Sequence, residues 1–157
     1  MVEKLFLDYT RIDGLQAKVA RDITNSGWKP ELVVGLVRGG LAPAVKLSHY
    51  FEIPMLALHV SFRDWAQQQS LQPLVEQVLD MKNILIVDDI NDTGKSLQSI
   101  HQNLELLAGN HVFTSGQVRA AVLVNNLGSN YEVDFSGIDI DKRVSDQWVV
   151  FPWENFW

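Results

Sequence analysis

The stretch Ile84-Leu85-Ile86-Val87-Asp88-Asp89-Ile90-Asn91-Asp92-Thr93-Gly94-Lys95-Ser96 carries both the fold and the chemistry of this chain. Its first four residues are apolar and mostly β-branched, the signature of a strand buried on both faces. Two carboxylates follow where that strand ends. Asp92 to Ser96 then combines a glycine, two hydroxyls and successive backbone amides ahead of a helix expected over Ser96 to Leu107, ended near Gly109-Asn110. A helix start with free N–H groups and the positive end of the dipole binds anions. Asp88 and Asp89 would repel a phosphate, so they must face something else, either sugar hydroxyls or a hard metal ion. The ligand so described is a phosphorylated sugar with free hydroxyls. A Walker A loop is excluded, because it needs a glycine at position 89, where Asp stands. A capped helix start behind an acidic turn explains Asp92-Thr93 but not the longer pattern.

The same alternation extends in both directions. Upstream, Thr10 is placed to cap a helix from Ile12 to Ser26, ended by Gly27 and Pro30. Leu32 to Val37 reads as a buried strand, Arg38-Gly39-Gly40 as a turn, Leu41 to Phe51 as a helix and Met55 to Val60 as a strand. Ser61 to Pro73, rich in glutamine, reads as a long loop or hairpin tip. Downstream, Val118 to Val124 is a buried strand, Tyr131 to Ile140 holds a further strand and turns, and Gln147 to Glu154 is apolar and aromatic. Strands alternating with helices imply an α/β fold, a central and mainly parallel sheet flanked by helices on both faces. In such folds ligands bind at the carboxyl ends of the strands, where the 36–40 and 88–96 loops both fall.

Composition bounds the rest. The chain has 157 residues, 46% hydrophobic and 20% charged, which fits one globular domain over 1–157. The net charge of −6 leaves little material for a nucleic-acid-binding face. Cysteine is absent, which removes thiol nucleophiles, disulfides and Cys-held metal centres. His49, His59, His101 and His111 are scattered without metal-ligand spacing. No apolar run reaches the roughly 20 residues of a membrane span, and Met1 to Asp8 lacks the pattern of a signal peptide. A soluble cytoplasmic protein, with no nucleic-acid or membrane partner, is the expectation.

Ile84 to Ser96 resembles the phosphoribosyl pyrophosphate (PRPP) motif of type I phosphoribosyltransferases. The resemblance implies that Asp88 and Asp89 bind ribose hydroxyls. It also implies that Asp92, Thr93, Gly94, Lys95 and Ser96 cradle the 5-phosphate, and that Asp92 is the catalytic residue moving a proton to or from a ring nitrogen of the base. Gly35 to Gly40 resembles the pyrophosphate loop of the purine branch, with Arg38 and Gly39 on the leaving group and a cis peptide at Val37–Arg38. Trp148 to Glu154 resembles the C-terminal hood of bacterial xanthine–guanine phosphoribosyltransferases. That places a hood at 125–157, with Trp148 and Val149 against the purine, and a mobile lid at 61–73. A family lysine that meets the exocyclic oxygen of the base is missing; Leu123-Val124-Asn125-Asn126 stands there, and Asn126 is the positional match. The resemblance further implies Mg2+, held near Asp89 and Glu154, PRPP and a purine base as substrates, and a homodimer or homotetramer. The expected activity is purine salvage, transfer of phosphoribose to guanine, xanthine or hypoxanthine. The alternatives are transfer to another base, and a non-catalytic PRPP-sensing regulator.

Overall fold

A computed structural model describes residues 2–60 and 66–154, without the side chains of 66–70. In chain order the elements are β1 (Glu3–Phe6), α1 (Tyr9–Asn25), β2 (Leu32–Val37), α2 (Leu41–Phe51), β3 (Met55–His59) and α3 (Ala66–Leu79). They continue as β4 (Ile84–Asn91), α4 (Lys95–Ala108), α5 (His111–Thr114), β5 (Val118–Asn126), β6 (Phe135–Ile140) and β7 (Gln147–Val150). Five strands form one sheet in the order β3-β2-β4-β5-β6, every pairing parallel. One face is covered by α3, α4 and α5, where Leu71, Leu74, Ile100 and Leu104 pack on Ile84, Ile86 and Val122. The other is covered by α1 and α2, where Val19, Ile23, Ala44 and Leu47 pack on Val33, Leu85 and Val87. Burial on both sides is why the strands are near-continuous apolar runs.

The topology also places the crevice. From β2 the chain steps outward to β3, then returns to the other side of β2 and proceeds through β4, β5 and β6. The reversal lies between β2 and β4, where open parallel sheets bind ligands. Pairing of β4 with β2 runs from Leu32↔Ile84 to Gly35↔Val87, whereas β4 stays paired with β5 as far as Asn91↔Asn125. The two strands therefore part at Asp88.

A second, two-stranded sheet joins β1 to β7 in parallel, Glu3↔Gln147 through Phe6↔Val150. Its inner side chains, Val149 among them, pack with Leu7, Ile12, Leu15, Leu123, Val124 and Phe151. The amino-terminal strand thus carries the carboxy-terminal one, a pairing over a separation too long for local sequence signals to reveal.

Two local expectations are corrected. The cap of α1 is Asp8, whose carboxylate accepts the Arg11 N–H at 2.7 Å, so the helix begins ahead of Thr10. The stretch expected to be a loop from Ser61 to Pro73 is helical from Ala66 onward, with Pro73 inside α3. Gln, Ala and Leu are good helix formers. Leu71, Leu74, Val75 and Val78 follow the helical spacing and are all buried, which outweighs the single hydrogen bond Pro73 removes. The remaining part of the expected lid, 61–65, lies outside the described residues. The strand expected within Tyr131 to Ile140 is Phe135–Ile140, as β6. Among the described residues no helix is long and apolar enough to cross a membrane.

Candidate active site

At the point where β2 and β4 part, Asp88 and Asp89 face the crevice. Asp88 is half-buried and its carboxylate accepts the Asp89 backbone N–H at 2.9 Å. Burial, and then the neighbouring Asp89 charge, push its carboxyl up to about 8. Asp89 is only 8% exposed. Burial raises its carboxyl too; hydrogen bonds from the Trp153 indole and within the pair oppose that, and the nearby Glu154 charge adds to it. The Trp153 Nε1–H donates to Asp89 Oδ2 at 3.4 Å, and Phe151 stacks on Trp153 with ring centroids 5.0 Å apart. The tail therefore reaches the acidic pair, a contact of Trp153 that sequence reasoning did not assign.

Beyond the acids, Asn91 anchors the loop. Its amide donates to Asn125 Oδ1 at 2.9 Å and to the Tyr131 carbonyl at 2.8 Å, and its oxygen accepts the Ser129 hydroxyl at 2.8 Å. Gly94 then caps α4 with φ 86° and no side-chain cap. A Cβ there would lie 2.7 Å from Ser129 Oγ and 2.8 Å from Tyr131 N, so both its conformation and its surroundings require glycine. At this start of α4 only Thr93 Oγ1 accepts a helical N–H, that of Lys95 at 3.4 Å, and a cavity of about 320 Å³ is lined by the residues from Asp88 to Leu97. Thr93 and Lys95 are exposed at its rim and Ser96 is half-buried.

On the β2 side a larger cavity of about 840 Å³ is lined by Val37, Arg38, Gly39, Asp89, Trp153 and Glu154 among others. Asp89 lines both cavities. The Val37–Arg38 peptide is cis, at the bond the resemblance implies. Arg38 is exposed; its carbonyl accepts the Leu41 N–H at 3.1 Å, and its guanidinium forms no ion pair among the described residues. A Cβ on Gly39 would overlap the Asp89 carboxylate, and one on Gly40 would overlap the Val87 carbonyl oxygen, so two glycines let this loop lie directly against β4. Glu154, at the cavity rim, accepts the Phe151 N–H at 3.1 Å, which holds it in a turn.

The remaining residues expected to bind the base stand at the ends of β5 and β6 and on β7. Trp148 is 59% exposed, an indole with room for a flat partner, while Val149 beside it is 6% exposed. The strand's alternation turns Val149 into the core, so only its backbone can meet a ligand. Asn126 is buried and its amide is engaged: Nδ2 donates to the Asp92 carbonyl at 2.9 Å, and Oδ1 accepts the backbone N–H groups of Gly128 and Lys142, each at 3.1 Å. Lys142, which sequence reasoning missed, places Nζ 2.9 Å from Asp92 Oδ1 and 5.9 Å from the centre of the Trp148 ring. Its only sequence signal is position, two residues beyond a strand that ends on the ligand edge.

Residues 8–155 match the phosphoribosyl transferase domain family. A xanthine-guanine phosphoribosyltransferase of Cereibacter sphaeroides is 30% identical over 135 residues, which cover 83% of this chain and 71% of that protein. The crystal structure of a purine phosphoribosyltransferase from Pyrococcus horikoshii superposes with a TM-score of 0.71 at 25% identity, covering 98% of this chain and 95% of that one. A hypothetical protein from Neisseria gonorrhoeae, solved with bound ppGpp, superposes with a TM-score of 0.76 at 25% identity, covering 99% and 92%.

Proposed function

The chain belongs to the phosphoribosyl transferase domain family, and from that premise we propose that it transfers the 5-phosphoribosyl group of PRPP to a purine base in purine salvage. The observation that carries this is the convergence at one crevice. The acidic pair, the start of α4 and the Arg38 loop line two cavities that share Asp89. Sugar, 5-phosphate and pyrophosphate then have adjoining places.

In the reaction a ring nitrogen of the base forms a bond to the anomeric carbon as the bond to pyrophosphate breaks, and the leaving group takes the electron pair. The N–H groups at the start of α4, with Thr93 and Ser96, hold the 5-phosphate. Asp88 and Asp89 bind the ribose hydroxyls, and the carboxylate charge that the pair carries stabilises the positive charge that develops at the anomeric carbon. Arg38 and the amides of Gly39 and Gly40 take the charge of the departing pyrophosphate. Asp92 accepts the proton released by the base. Trp148 stacks on the ring, with the backbone at Val149 along its edge.

Asp89 and Glu154 fit a hard cation. Asp89 is a buried carboxylate raised by burial and by Glu154, opening on a large cavity, and Mg2+ binds through one or two carboxylates while keeping water and sharing phosphate oxygens. When bound, Mg2+ neutralises charge on the leaving pyrophosphate. The exposed Val45 and Tyr50 of α2 offer apolar surface for a homodimer or homotetramer.

The test is pyrophosphate release from PRPP and Mg2+ with a panel of purine and pyrimidine bases. Release dependent on a purine supports the assignment. Release with pyrimidines alone overturns the purine substrate. PRPP binding without release from any base points instead to a sensor.

A further inference from the structure

We propose that Asn91 is the positioning residue of the 5-phosphate loop, fixing Thr93, Gly94 and the start of α4 through Ser129 and Tyr131. The inference rests on the transferase reading, in which that loop holds the 5-phosphate of PRPP. Asn91 closes β4 and is 1% exposed, so its amide is removed from water. Burial of an amide is unfavourable unless its polar atoms are bonded. Nδ2 donates to Asn125 Oδ1 at 2.9 Å and to the Tyr131 carbonyl at 2.8 Å, and Oδ1 accepts the Ser129 hydroxyl at 2.8 Å. Both N–H groups are therefore committed to protein, and the side chain has no donor left for a ligand. Asn125 passes the link on, its own Nδ2 donating to Asp139 Oδ1 at 3.0 Å, so the Asn91 amide is tied across the ends of β4, β5 and β6.

The partners of Asn91 are the residues on which the phosphate loop rests. A Cβ on Gly94 would lie 2.7 Å from Ser129 Oγ and 2.8 Å from Tyr131 N, so the loop backbone lies directly against both. Asn130, between them, donates its N–H to the Thr93 carbonyl at 3.1 Å. Ser129 Oγ accepts the Tyr131 N–H at 3.1 Å while donating to Asn91, which closes a ring of hydrogen bonds from Asn91 through Ser129 and Tyr131 back to Asn91. Tyr131 reaches α4 a second time, with its hydroxyl 3.1 Å from His101 Nδ1. One segment thus braces the start of α4 and a point about two turns further on, and Asn91 fixes that segment. A buried polar network whose members are paired holds a single arrangement. Anion binding by a helix start needs one, because its N–H groups must stand within about 0.5 Å of the productive geometry. An apolar side chain at 91 would serve packing alone, and would leave the Tyr131 carbonyl and Asn125 Oδ1 without these donors.

The experiment is steady-state kinetics and calorimetry of the full chain, wild type and Asn91→Leu, with PRPP, Mg2+ and a purine base. Asn91→Leu keeps the size of the side chain and removes all three hydrogen bonds. KM for PRPP and its calorimetric Kd are expected to rise by about 10- to 100-fold, the effect of displacing a binding group by up to about 1 Å. KM for the base stays within about 2-fold, the scatter of independent sites. Ser129→Ala deletes one hydroxyl of the same ring and raises Kd for PRPP by about 2- to 10-fold; it is the informative variant if Asn91→Leu does not fold. General damage to the fold would raise both KM values together. Equal rises in the two KM values, a loss confined to kcat, or a Kd for PRPP unchanged in both variants overturns the positioning role while leaving the transferase intact. A wild type that binds no PRPP overturns the transferase reading, and the proposal with it.

Discussion

Gly39→Ala is the sharpest test of how the pyrophosphate side of the crevice is built. The backbone of Gly39 lies outside the positive-φ region, so alanine meets no conformational penalty there. Taken alone, replacing this glycine would stabilise the protein by about 0.4–1 kcal/mol through the unfolded chain. The obstacle is space. The three atoms nearest the new Cβ are the carboxylate carbon and both oxygens of Asp89, with overlap at the closest. Asp89 must turn aside, which costs about 0.5–1.5 kcal/mol in an off-rotamer side chain. The hydrogen bond from Trp153, long at 3.4 Å, is lost with it, about 1 kcal/mol for an ordinary net bond. The balance is a loss of about 0.5–2 kcal/mol, comparable to that of overpacking. Activity should fall further, by about 10²-fold, since a misplacement of about 1 Å in a reacting group has that effect. Urea unfolding followed by tryptophan fluorescence measures the first quantity and pyrophosphate release the second. The decisive comparison is a double-mutant cycle with Asp89→Ala, which removes those three atoms. In that background Gly39→Ala should be neutral or stabilising, a coupling of about 2 kcal/mol against the roughly 0.3–0.5 kcal/mol scatter of independent sites. If Gly39→Ala costs the same in both backgrounds, the contact with Asp89 is not what requires glycine.

Other outcomes follow from the same geometry. The Asp88 carboxyl stands at about 8 in the folded protein against 3.8 in an ordinary setting, so between those values the folded state holds a proton that the unfolded state has released. Stability therefore falls as pH rises through that window, by up to about 1.4 kcal/mol per pH unit for this one group; Asp88→Asn removes that slope, which urea unfolding at several pH values in metal-free buffer would show. Gly94→Ala forces a side chain into φ 86° and against Ser129 and Tyr131. It should destabilise the protein by about 1–3 kcal/mol and weaken PRPP binding in calorimetry. Trp148 and Val149 should separate cleanly: Trp148→Ala raises KM for the base by about 10-fold or more, from the loss of about 1–3 kcal/mol of stacking, with stability changed by under about 0.5 kcal/mol. Val149→Ala should instead cost about 1–3 kcal/mol of stability, because it empties space in the cluster around Leu123 and Phe151.

How much of this was legible beforehand depended on the range of the interactions involved. Ile84 to Ser96 could be read because strand, turn and helix start follow one another and each has a local signature. Leu32 to Phe51 was legible for the same reason. Helix α3 was not, because a glutamine run and Pro73 suggest a loop, and only the burial of Leu71, Leu74, Val75 and Val78 against the sheet makes it helical. The cap of α1 was misplaced by two residues because Asp8 and Thr10 both suit that position, and tertiary packing chose between them.

The site divides in the same way. The amino-acid sequence by itself determined the chemistry at each strand end: carboxylates at the end of β4, a cation and glycines after β2, and aromatics in the tail. These are contiguous in the chain, and their roles follow from residue type and spacing. Only the tertiary structure decided which of them meet. It turned Val149 into the core and left Trp148 outside, since parallel pairing with β1 sets the register of β7. It occupied the Asn126 amide with the backbones of Asp92 and Lys142, although sequence position alone offered that amide to the base. It brought Lys142 from beyond β6 to Asp92 beyond β4, and Trp153 from the tail to Asp89. The last two of these contacts join residues about fifty or more positions apart, and parallel strands ending on one edge are what close such distances.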